Sequence, residues 1–148
     1  MSSTAAAFIS ALRTQLQARA GLAGVDVHIV PPDGVIGSDS IVLIASPVTG
    51  DQEYATAGRA RRDDHYTIPG QLAGYATGTD TDTTMQAAWD RAATILGEIA
   101  DQLLSPPQVG DQTLSARLSQ ISYQPQPSDK GGWVCVCGFQ IDYTARVT

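Results

Sequence analysis

The run Arg61-Arg62-Asp63-Asp64-His65 is the densest group of chemistry-bearing side chains in this 148-residue sequence. An imidazole beside a carboxylate can act as a general base, and two carboxylates with an imidazole can begin a metal site. Neighbours along a chain rarely converge, however. On an extended strand Asp63 and His65 share one face while Asp64 points away. His28 is the only other histidine. Arg59, Arg61 and Arg62 could meet phosphate, but three basic residues followed directly by two aspartates make a weak nucleic-acid site. An inter-subunit salt-bridge edge of Arg59, Arg61, Arg62, Asp63 and Asp64 is the favoured reading. The alternative is a small enzyme or ligand-binding module using His65 with Asp63 or Asp64.

No other catalytic signature stands beside this run. No serine sits in a G-x-S-x-G elbow, and neither G-x-G-x-x-G nor a P-loop occurs. Gly34-Val35-Ile36-Gly37 is too short to cradle a phosphate. Cys135 and Cys137 lie two apart on one strand face, about 6.5 Å between Cα atoms, which strains a disulfide. They read as buried free thiols suited to a reducing cytoplasm, and no second Cys or His pair completes a metal site. No catalytic residue, cofactor or metal is therefore expected.

The composition bears on partners. Hydrophobic residues make up 43% and charged residues only 16%, so part of the outside is expected to be covered by other subunits. The net charge is -6, with Lys130 the only lysine. Such a surface does not seek DNA, although it would let DNA pass without sticking. Met1 to Ala7 lack the pattern of a signal peptide, and no apolar run approaches the ~20 residues that span a bilayer.

The elements that must position these side chains follow from periodicity. Phe8, Leu12 and Leu16, with Ile9, mark an amphipathic helix over 4–20, ended by Gly21 and Gly24. Val25, Val27 and Ile29 alternate as a short strand, and Ile41-Val42-Leu43-Ile44 reads as a central strand covered on both faces. From Val48 to Asp64 the pattern dissolves into a polar arm expected to order against a neighbour. Strand character resumes at His65–Ile68 and continues weakly to Thr77. Thr83-Thr84-Met85-Gln86 has capping-box spacing and opens a second helix to Leu104. Its expected stripe is Met85, Trp89, Ala92, Leu96, Ile99 and Leu103.

The last unit reads as an antiparallel hairpin. Leu114, Ala116 and Leu118 change parity before Ile121 and Tyr123, which predicts a bulge near Ser119 or Gln120. From Trp133 to Val147 the alternation is unbroken, and at roughly 3.3 Å per residue the strand runs to about 50 Å. Either it bends, most easily at Gly138, or another subunit covers part of it. Trp133 itself fits core packing or an interface anchor equally well.

Two helices among sequential strands give an α+β class: one two-layer domain spanning 1–148, a mainly antiparallel sheet with both helices on one face. The layout resembles small phage tail terminator or tail-completion proteins, the class of the lambda minor tail protein U. The residues carrying the resemblance are Phe8-Ile9-Ser10-Ala11-Leu12, the pair Val25–Val30 and Ser40–Pro47, the polar arm, the helix Thr83–Leu104 and the hairpin ending in Trp133–Val147. The resemblance covers nearly the full length and is architectural. It implies a homo-oligomer, typically a hexameric ring, seated on the last disc of a tail tube in the virion. The implied partners are the tail tube protein and a head-tail connector or stopper, with genomic DNA passing through and no membrane. Other neck proteins, such as head-closure or connector proteins, share the size and general character. A host-directed binding module is a third reading.

Overall fold

The fold is organised by its last strand, as the computed structural model shows for residues 4–32, 38–54, 62–108, 112–128 and 131–147. The elements in order are α1 (Thr4–Gln17), a 3-10 turn (Ala20–Leu22), β1 (Asp26–His28), β2 (Ser40–Val42), β3 (Thr49–Tyr54), β4 (Arg62–Ala76), α2 (Thr81–Leu103), β5 (Gln112–Pro127) and β6 (Trp133–Val147). The sheet order is β1-β2-β4-β6-β5, with β3 also on β4. Every pair is antiparallel except β1 with β2. The class is α+β, as expected.

β4 runs through Pro69-Gly70 to Ala76, as expected, and starts earlier than the sequence suggested, at Arg62. It pairs with β6 without a break from Arg62↔Val147 to Ala76↔Trp133. The opposite edge of β4 is shared: β3 takes Arg62–Thr67 and β2 takes Gln71–Ala73. Pro69 falls in the gap between them, where its missing N–H breaks no ladder bond, and its carbonyl accepts from the Ala45 amide at 2.9 Å.

The expected polar arm is corrected over its first part. Residues 49–54 form β3, paired antiparallel with β4 from Thr49↔Thr67 to Tyr54↔Arg62. A stretch as polar as Thr49-Gly50-Asp51-Gln52-Glu53-Tyr54 carries no period-2 apolar signal to announce it. Arg62–Asp64, the last residues of the expected arm, open β4, and 55–61 lie outside the described residues.

One sheet face is covered by both helices. Ile68 and Leu72 of β4 and Cys135, Cys137, Phe139, Ile141, Tyr143 and Ala145 of β6 supply its buried surface. α1 presents Phe8, Ile9, Leu12 and Leu16 at the predicted spacing, and the Phe8 ring stacks on Tyr143 with centroids 4.1 Å apart. The helix ends at Gln17, three residues early, and the chain turns through the 3-10 segment instead. Arg19 then pairs with Glu98 of α2, tying the helices together.

α2 seats directly on the sheet at Gly74. A Cβ there would lie 2.6 Å from the Ala92 nitrogen and 3.0 Å from the Ala88 oxygen. This approach rotates the helix relative to the expected stripe. Ala88 and Ile95 are fully buried, whereas Met85 and Trp89 sit at the flank, Trp89 stacking on Tyr123 of β5. Its start also differs from the Thr83 box. Asp80 is the N-cap, accepting from the Thr83 amide at 3.1 Å, because a carboxylate answers the helix dipole better than a hydroxyl.

The hairpin carries the bulge where the parity change put it. The register shifts between Ser119 and Ser122, and Gln120 has a φ of 54°. A second shift at Thr113/Ser115 gave no sequence signal. Cys135 and Cys137 are buried and free.

Two consequences are measurable. Gly74→Ala pushes α2 off the sheet and should cost about 1–3 kcal/mol in urea unfolding, while Gly97→Ala, exposed with nothing within 4 Å of its Cβ, should stabilise by about 0.5–1 kcal/mol. Burial, with Cys135 alongside, pushes the Cys137 thiol from 9.0 up to about 11. The folded state therefore holds this proton more tightly than the unfolded chain. Its contribution to stability is complete below pH 9 and is lost as pH rises toward about 11. Cys137→Ala should flatten part of that decline, and Cys135, Tyr123 and Tyr143, all shifted upward by burial, account for more of it.

Candidate functional site

The charged run resolves into two separate arrangements on opposite faces of β4. Arg62 and Asp64 lie on the helix-covered face, two residues apart, as alternation along a strand requires. Arg62 Nε donates to Asp64 Oδ1 at 2.9 Å, with side chains 8% and 0% exposed. Thr4, the first residue of α1, donates its hydroxyl to Asp64 Oδ2 at 2.8 Å. One carboxylate thus pins the start of α1 to the sheet and neutralises a buried guanidinium. The Tyr143 hydroxyl is buried close to the hydroxyls of Thr4 and Thr113. Burial raises its pKa, and the hydroxyls of Thr4 and Thr113 partly offset this.

Asp63 and His65 occupy the uncovered face. Asp63 accepts two bonds from Arg146 of β6, at 2.8 and 3.0 Å. His65 Nδ1 lies 3.2 Å from the Thr144 hydroxyl. Thr49, Asp51, Thr67 and Asp142 join His65 and Thr144 around an open concavity of about 440 Å³. For general-base or metal chemistry Asp63, Asp64 and His65 would have to converge, and they do not. Asp64 is on the far side of the sheet, and Asp63 is clamped by a guanidinium. Among the described residues no three His, Cys, Asp or Glu side chains are grouped to hold a metal ion.

The other candidates are dispersed. Arg59 and Arg61 lie outside the described residues. Trp133 opens β6 beside Ala76 and Pro127, half-buried against the core, at the opposite end of the strand from Arg62. Within the chain Arg62, Asp63 and Asp64 are engaged in intramolecular ion pairs. As the proposed subunit edge, they would act by fixing the strands rather than by direct reach.

The sequence reading let another subunit cover part of the long last strand, but β6 is paired on both sides, with β4 and β5, and the open edges lie elsewhere. β5 pairs only with β6 and β3 only with β4 among the described residues, so each carries one unpaired edge. β5 presents exposed Ser115 and Arg117, and Ile121 is 48% exposed beside the bulge. β3 presents exposed Asp51. Unpaired edges are templates for strand addition by another chain. The exposed edge of β5 was foreshadowed only by its polar alternate residues.

No family model matches this sequence, and no curated protein does. A chain in the solved structure "Virion of native gene transfer agent (GTA) particle" shares the fold, with a TM-score of 0.61, covering 98% of this chain and 99% of that chain at 14% identity.

The buried pair has a measurable signature. Asp64→Ala strands the Arg62 charge and should cost about 3–5 kcal/mol in urea unfolding. Replacing both with apolar residues, Arg62→Met with Asp64→Leu, should cost clearly less than Asp64→Ala alone.

Proposed function

We propose that this chain is a structural virion protein that forms a ring, of six subunits, at the head-proximal end of a phage tail tube. There it ends tube polymerisation and joins the tail to the head connector. The observation that carries the reading is the end-to-end likeness to a chain of a gene transfer agent virion, spanning nearly all of both chains. The sequence resemblance to tail terminators points the same way. No chemistry of its own is assigned to the chain: Asp64 faces away from His65, and Asp63, on the face of His65, is paired with Arg146. A second neck role, as a connector or head-closure protein, shares these supports. The two helices layered on one sheet face favour the terminator, because a stopper is more naturally a small β-barrel.

Physical features of the chain fit a ring. Open edges on β3 and β5 offer contacts that differ from one another, and heterologous contacts close into rings when the rotation allows. A net charge of -6 on each subunit, repeated around a bore, repels phosphate and favours passage of DNA over binding. Arg62, Asp63 and Asp64, with Arg59 and Arg61 beside them, are proposed to support the subunit contact, and Trp133 a partner contact at the other end of β6.

Native mass spectrometry over a wide concentration range tests the reading. A discrete closed ring, with binding to the ends of purified tail tubes and tails of one length, is expected. A monomer throughout, indifferent to tube ends, overturns it.

A further inference from the structure

We propose that copies of this chain join by sheet extension, β3 of one copy pairing antiparallel with the β5 edge of the next. The inference rests on the ring reading and names the surfaces that make the ring. In the half of the sheet that holds Arg62–Thr67 the strand order is β3-β4-β6-β5, so the two unpaired edges lie on opposite sides. Each neighbouring pair there is antiparallel. β3 and β6 therefore run one way and β4 and β5 the other. A second copy placed alongside without being turned over brings its β3 against β5 in opposite directions, which is the better-bonded arrangement. Copies related by rotation about an axis along the strands keep that relation, so the contact repeats until it closes.

Charge selects this pairing over the symmetrical ones. Arg117 lies opposite Asp142, and Asp142 opposite Thr67, which shares a face with His65; Asp51 lies opposite His65. Arg117 and Asp51 thus stand on the same sheet face, both exposed, one at each free edge. Pairing β5 with β5 sets Arg117 near Arg117, and pairing β3 with β3 sets Asp51 near Asp51. Only β5 with β3 sets opposite charges together, and like charges facing across strands destabilise.

The backbone limits where β5 can accept a strand. Past the bulge Pro125 and Pro127 offer no N–H. At the other end the Thr113 amide is already taken by Gln108 Oε1 at 3.0 Å. That leaves Ser115–Ser119 open, a length the six residues of β3 can cover.

The test compares the full chain with Asp51→Arg, Arg117→Asp and the double reversal, by native mass spectrometry and sedimentation. Each single reversal should raise the concentration for half-assembly by about tenfold. The double reversal should restore assembly, which also shows that the single variants fold. A parent ring unaffected by either single reversal, or weakened by both with no rescue in the double, overturns the edge pairing and leaves the ring reading standing. A parent chain that forms no ring, alone or on tube ends, overturns the ring reading itself.

Discussion

Everything else in this chain depends on the unbroken pairing of β4 with β6. Fifteen consecutive residue pairs, from Arg62↔Val147 to Ala76↔Trp133, make a two-stranded spine on which each other element finds its place. Because side chains alternate strictly, this one register decides which face of both strands is apolar. A slip of β6 by one residue would turn Cys137, Phe139 and Ile141 outward and bring Gln140 and Asp142 under the helices, while Ile68 and Leu72 of β4 stayed inward. The buried Asp64 and Arg62 strengthen the same choice, since only the observed register puts that carboxylate within reach of Thr4.

The two helices meet the spine in different ways. α2 comes close, because Gly74 and the alanines Ala88 and Ala92 leave room for backbone against backbone. α1 sits over larger groups, with Phe8 against Tyr143, and is fastened at its start by a polar bond instead of by shape. The thin and thick ends of the layer follow from residue size along the strands. Arg91 and Asp39 complete the thin end: Asp39 pairs with Arg91 of α2 and accepts the Tyr75 amide at 2.9 Å, where β2 has already stopped. A side chain there does the work of a missing strand.

Much of this was legible in the sequence where apolar residues keep time. The α1 stripe, the hairpin, the Gln120 bulge and the inward thiols all announce themselves through periods of 3.6 or 2. Three features did not, each for a physical reason. β3 has no period-2 apolar signal, so nothing in the sequence announces it. The start of β4 at Arg62-Asp63-Asp64 reads as polar loop, because its pairing with Ala145–Val147 joins residues distant in sequence. The stripe of α2 was misread by placing Met85 and Trp89 at its centre, since hydrophobicity alone cannot reveal that Gly74 demands small residues. For the candidate site, the separation of Asp63 and His65 from Asp64 was legible from strand alternation. The partners Arg146 and Thr4 were not, because both are distant in sequence and joined only by the sheet and the helix start.

The likeness to a virion chain at 14% identity makes sense on these terms. The constraints identified above are few: one register, one close approach, a buried carboxylate and a pattern of alternation. Many sequences meet them, so the fold can persist while almost every side chain changes. Surface residues such as Asp51, Arg117 and Ile121 are exposed and lie outside those constraints. A protein whose interior is occupied with holding two long strands under two helices keeps its freedom at the edges. Among the described residues the outer edges of β3 and β5 have no strand partner, and unpaired backbone is a template for strands of many sequences. Side-chain charge then has only to choose among pairings the backbone already permits, which is a modest task for a chain with so few charges.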